Sequence, residues 1–85
     1  MRVTIPSPLL SYTSRREVVA EGSCLAAVLQ DLDRQFPGIR FRMIDEHDDI
    51  RTHMRFFIGS NELRSLQTPL DAGQTLHIVQ ALSGG

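Results

Sequence analysis

An α+β domain in which one main helix covers one face of a mixed sheet is predicted by three observations. Apolar residues recur at helical spacing between positions 25 and 36, the flanking segments alternate apolar and polar residues as strands do, and prolines and glycines mark the joins. The helix carries a single apolar stripe, so it must bury that stripe against the sheet.

Each element follows from local pattern. Arg2 to Ile5 sets Val3 and Ile5 on one side, until Pro6 and Pro8 remove backbone donors and stop the ladder. Arg15 to Glu21 contains the β-branched pair Val18-Val19 and predicts a returning antiparallel strand, with the turn-rich Ser11-Tyr12-Thr13-Ser14 as the loop. Leu25, Val28, Leu29, Leu32 and Phe36 form the helical stripe, with Ser23 as its expected cap and Pro37-Gly38 as its stop. Residues 39 to 53 are mixed and predict a short helical turn or extended segment leading into a solvated loop. Met54, Phe56 and Ile58 alternate with Arg55, Phe57 and Gly59 as in a half-buried strand, and Gly59-Ser60-Asn61 supplies its turn. Glu62 to Leu66 predicts a brief strand. After the loop Thr68 to Gln74, Thr75 to Ala81 predicts the last strand, with Leu76 and Ile78 inward and Thr75, His77 and Val79 outward. Hairpin, helix, then further strands is the order of a β-grasp, ubiquitin-like fold, expected over residues 1–81 with a flexible Gly-Gly tail at 82–85.

Composition narrows the function. Eighty-five residues make one domain, which buries about 60–65% of the surface of its unfolded chain and leaves little to wall a deep substrate cavity. The net charge of -1, with both signs interspersed, gives no footprint of a nucleic-acid or membrane-surface binder. The opening MRVTIPSPLL has no long apolar stretch or small-residue cleavage site and no apolar run reaches membrane-spanning length, so neither a signal peptide nor a membrane span is expected, and the one cysteine, Cys24, cannot form an internal disulfide. These features fit a cytoplasmic protein, monomeric when free.

Few residues suggest chemistry of their own. Asp45, Glu46, His47, Asp48, Asp49 and His53 lack metal-ligand spacing and are expected to form a solvated loop, so no metal is expected. His77 has no serine or cysteine nucleophile placed beside it by a motif, and no glycine-rich phosphate loop follows a strand. The chain is therefore not expected to be an enzyme.

Ile5-Pro6-Ser7-Pro8-Leu9, Phe36-Pro37-Gly38-Ile39, Thr68-Pro69-Leu70-Asp71-Ala72-Gly73 and the closing Leu82-Ser83-Gly84-Gly85 resemble, in order and spacing, the ubiquitin-like sulfur carriers of the MoaD/ThiS family. The resemblance spans essentially the whole chain. It implies that a ubiquitin-activating-like enzyme uses ATP to adenylate Gly85, that a sulfur donor converts the adenylate to a thiocarboxylate, and that a sulfur-accepting biosynthetic enzyme takes the sulfur. No cofactor is bound by the chain itself, because ATP is used by the partner. Length and the Met54 to Ile58 region look nearer to the molybdopterin and cysteine-synthesis carriers than to the shorter thiamin carriers.

The residues suit that chemistry. A carboxylate with a pKa near about 3.3–3.7 is a poor electrophile at neutral pH and needs AMP as a leaving group. Gly84, with Leu82 and Ser83 before it, gives access to a narrow cleft, since glycine enters backbone conformations closed to other residues. Phe57 and Val79 fall at outward positions of their strands and predict a docking patch opposite the helix, with Arg55 and Arg64 at its rim. Two other functions share the fold: a modifier joined to lysines through Gly85, and a noncovalent interaction module with an inert tail.

Overall fold

The computed structural model describes residues 1–81, and the tail residues Leu82, Ser83, Gly84 and Gly85 lie outside the described residues. Strand β1 (Arg2–Thr4) runs into a 3-10 turn (Ser7–Leu9) and a helical turn α1 (Leu10–Thr13), then β2 (Glu17–Val19). The main helix α2 (Leu25–Gln35) and a short helix α3 (Ile39–Met43) follow, and strands β3 (Met54–Ile58), β4 (Asn61–Leu63) and β5 (Thr75–Gln80) complete the sheet.

The sheet order is β2-β1-β5-β3-β4. β5 lies in the centre, parallel to β1 and antiparallel to β3, while β1–β2 and β3–β4 are antiparallel pairs. This is the mixed β-grasp sheet that the order of elements predicts. One face carries Val3, Val18, Phe56, Leu76 and Ile78, and it packs against Leu25, Val28, Leu29 and Leu32 of α2, all of them buried. Each such side chain stabilises the fold by about 1.5–3 kcal/mol through removal of apolar surface from water.

Four local expectations are corrected. The segment after β1 is helical where a loop was expected: Pro8 sits in the first turn of the 3-10 helix, where a missing N–H costs nothing, and Leu9 is buried in the core. The turn closes at Ser14, whose φ of 58° is left-handed. Ser23 does not cap α2. Cys24 occupies the N-cap position in extended backbone with no side-chain cap, and the free helix amides are met from elsewhere: Leu25 N donates to Thr68 O at 3.0 Å and Ala26 N to Leu66 O at 2.8 Å. Finally, β4 ends at Leu63, short of the expected Leu66, and Phe36 is only partly buried at the edge of the core.

The turns follow their sequences. Ile58 pairs with Asn61 across Gly59-Ser60, and Gly59 at φ 60° is the first central residue of this two-residue hairpin. The acidic run is a loop closed on itself, with Asp45 Oδ1 accepting from His47 N at 2.8 Å and from Asp49 N at 3.0 Å. These backbone donors hold the Asp45 carboxyl below its ordinary pKa. Among the described residues no group of three His, Cys, Asp or Glu side chains gathers as metal ligands.

Two predictions follow from the packing around α2. A Cβ on Gly22 would lie 2.6 Å from Val28 N and 2.8 Å from the Ala27 carbonyl carbon, both backbone atoms that cannot swing aside. Gly22→Ala is therefore expected to destabilise the protein by about 1–3 kcal/mol, read by chemical denaturation; an unchanged midpoint would mean the loop can withdraw. The second concerns Asp31, whose carboxyl accepts from Glu21 N, from Arg34 and from Gln35, so that first the backbone amide and then the guanidinium hold its pKa below 3.8. A depressed carboxyl contributes stability above its unfolded pKa and loses it as pH falls through the folded value. In a carboxyl-carbon NMR titration, Arg34→Gln is expected to raise the Asp31 pKa only part of the way to 3.8, because the Glu21 amide remains.

Candidate functional site

The sheet face opposite α2 is open, and strand register determines what stands on it. Thr4 pairs with both Glu17 and His77, and Phe57 pairs with both His77 and Glu62. The five strands thus contribute one transverse row: Glu17, Thr4, His77, Phe57 and Glu62. Thr4 Oγ1 and His77 Nδ1 are 3.0 Å apart, so the centre of the row is tied by a hydrogen bond.

The next row begins with Val79, which lies directly across from Arg55. Phe57 and Val79 therefore share the face as diagonal neighbours, each opposed by a polar residue of the adjoining strand. Val79 is 42% exposed and Phe57 is half-buried. On its other side Val79 meets Pro6 and Pro8 in a shallow concavity of about 440 Å3, which Arg16 also lines. Pro6 and Pro8 join this surface because β1 runs parallel beside β5. The sequence marked them as strand breakers, and nothing local linked them to Val79.

Arg55 and Arg64 meet at one carboxylate. Arg55 Nε lies 3.6 Å from Glu62 Oε2, and Arg64 Nη2 lies 3.4 Å from Glu62 Oε1. Arg55 is further held by donating to Thr52 O at 2.7 Å and Met54 O at 3.1 Å, whereas Arg64 is largely exposed. Such surface pairs contribute about 0–1 kcal/mol to stability. Glu62 was not among the residues marked by the sequence, although its position between Arg55 of the neighbouring strand and Arg64 just past the end of its own is a signal that register reveals.

The edge of this face is also where β5 ends. Ala81 N donates to His53 O at 2.7 Å, which fixes the main chain up to the last described residue. The expected site at Gly85, with Gly84, Ser83 and Leu82 leading to it, lies beyond that point and outside the described residues. Cys24, half-buried at the start of α2, is bridged to Pro69 and stands apart from this face.

No family model matches the chain. It is 29% identical over 89 residues to sulfur carrier protein CysO of Mycobacterium tuberculosis, covering 98% of this chain and 96% of the relative. Among solved structures, a chain of the Amycolatopsis orientalis BexX/CysO complex superposes with a TM-score of 0.91 at 25% identity, covering 99% of this chain and 98% of the other. Mycobacterium tuberculosis CysO superposes with a TM-score of 0.89 at 26% identity, covering 95% and 98%. Small archaeal modifier protein 1 from Methanosarcina acetivorans gives 0.82 at 20% identity over 99% and 94%, a likeness of fold.

The chain has the ubiquitin-like β-grasp fold and is similar along nearly its whole length to sulfur carriers of the MoaD/ThiS type, proteins that act as carrier partners of enzymes. It is a homologue of sulfur carrier protein CysO. Among the described residues no helix is long and apolar enough to cross a membrane.

The two faces of β5 make opposite predictions for neighbouring residues. Val79→Asp, on the open face, is expected to change stability by no more than about 0.5 kcal/mol. Ile78→Asp, which places a carboxylate in the core, is expected to unfold the protein or to cost about 3 kcal/mol or more. Thermal melts of the two variants check the register, and equal losses would contradict it.

Proposed function

We propose that the chain carries sulfur as a thiocarboxylate on Gly85, loaded by an ATP-dependent adenylating enzyme and delivered to a biosynthetic enzyme, with cysteine synthesis as the pathway. What supports this most is the similarity to sulfur carrier protein CysO along nearly the whole chain. The existence of a BexX/CysO complex supports a carrier of this shape docking on a partner protein.

The steps balance without a cofactor held by the chain. The Gly85 carboxylate oxygen attacks the α-phosphorus of ATP in the partner's site, and pyrophosphate leaves. A sulfur nucleophile then adds to the acyl carbon, and AMP departs with the electrons of the acyl C–O bond. Loss of the sulfur proton leaves the thiocarboxylate. The carrier's own contributions are a carboxylate on a narrow Gly-Gly tail, and a docking face formed by Phe57 and Val79 with Arg55 and Arg64 at the rim. Diagonal apolar residues give contact area, and the Glu62-tethered arginines give orientation. A reducing cytoplasm suits a protein whose product is a free sulfur anion.

The modifier function shares the adenylate and diverges at the acceptor, which would be a lysine amine in place of sulfur. Conjugates of higher mass in cells, lost on deletion of Gly85, would mark that route.

Tandem mass spectrometry of the C-terminal peptide tests the proposal, after incubation with an adenylating enzyme, ATP and sulfide. Oxygen replaced by sulfur on Gly85 is expected. Localisation is needed because oxidation of Met1, Met43 or Met54 gives the same nominal mass change. Gly84→Ala is expected to slow adenylation while leaving the thermal melt unchanged. An unmodified Gly85, beside a known carrier that loads in parallel, would count against the carrier function.

A further inference from the structure

A cleft of about 340 Å3 opens beside the end of β5, lined by Phe41, Arg42, Arg51, His53 and Gln80. Its lining contains two arginines and a histidine and no carboxylate. It lies outside the Phe57–Val79 face, built from α3, the segment before β3, and the last residue of β5.

The cleft is pre-arranged. Arg51 Nε donates to Phe41 O at 2.8 Å, and its guanidinium carbon sits 4.6 Å from the centre of the Phe41 ring. One donor and one face of the guanidinium are thereby fixed, which lowers the ordering cost of gripping an anion with the others. Phe41 remains 55% exposed, a large apolar side chain left in water beside the positive charge. Arg42 is exposed in the last turn of α3.

Arg34, Arg40 and Arg55 each have a carboxylate at 2.8, 3.2 and 3.6 Å, whereas among the described residues Arg42 and Arg51, like Arg15 and Arg16, form no ion pair; Arg42 and Arg51 in addition line one cleft together. Asp45 is near enough to feel Arg51, but its Oδ1 is occupied by the His47 and Asp49 amides. In a chain of net charge -1, a lining of one sign with an exposed aromatic is a local exception.

Its location supplies the occupant. Ala81 is bonded to His53 of the lining, and the four residues after it span at most about 14 Å even when fully extended. Any protein that draws Gly85 into a reaction site must bring its own surface up to this cleft. We infer that the cleft docks an acidic segment of the adenylating partner, its carboxylates on Arg42 and Arg51 and its side-chain stems on Phe41. This rests on the carrier function proposed above.

The cleft is tested first without the partner. In a nitrogen-15 NMR titration of the full chain with hexaglutamate, saturable shifts are expected at Phe41, Arg42, Arg51, His53 and Gln80, weakened by salt and lost in R42E. No shifts, shifts elsewhere, or a stronger response to an oligothymidylate would overturn the proposal. Pyrophosphate exchange by the enzyme that loads Gly85 then gives the functional test: R42E is expected to raise the KM for the carrier about tenfold with kcat retained. R42E changes an exposed side chain, and an R51Q variant with an unchanged thermal melt provides a second, milder removal of charge. An unchanged KM in both would overturn the cleft as a docking site while Gly85 still loads; absence of loading in the unaltered chain is a different signal and would fall on the carrier function.

Discussion

The fold depends on one crossing, where the loop after β4 passes over the start of α2. The amides of Leu25 and Ala26 have no partner within the helix, and the carbonyls of Thr68 and Leu66 supply one; Leu70 N returns a bond to Ser23 O at 2.9 Å. A helix end without a side-chain cap would otherwise leave buried donors unpaired, at a cost of about 1–3 kcal/mol each. The same three bonds fix where the loop begins its descent into β5. Helix position and placement of the central strand are therefore one constraint, and Leu70, buried beside the helix, adds an apolar pin to it.

That crossing also explains what could be seen in the sequence and what could not. Strands β1, β3 and β5 and the helix were legible because their burial alternates with a fixed period: Met54 and Phe56 face in, Arg55 and Phe57 face out, and Leu25 through Leu32 recur on one side. The cap was misassigned to Ser23 because a serine hydroxyl is a local signal, whereas carbonyls some 40 residues later are not. The helical turn at Leu10–Thr13 was hidden for a related reason. Its residues favour turns individually, and only burial of Leu9 selects a helical one.

The candidate site shows the same division. Alternation identified Phe57 and Val79 as outward apolar residues, but it could not tell that each is opposed by a polar residue and that they meet on the diagonal. Glu62 between Arg55 and Arg64, and Pro6 and Pro8 beside Val79, depend on which strands are neighbours. The basic cleft is more remote still, since Phe41 and Arg51 come from opposite ends of the acidic loop and are joined through a backbone carbonyl.

The strand that leads to the tail is the middle one of five, held by β1 on one side and β3 on the other. A partner that pulls on the tail therefore loads two ladders in shear at once, and all their hydrogen bonds must slip together. An edge strand under the same pull would open like a zipper, one bond at a time. Under the proposed function the arrangement would make the domain a mechanical stop, its body staying folded at the entrance while an enzyme acted on the residues beyond β5.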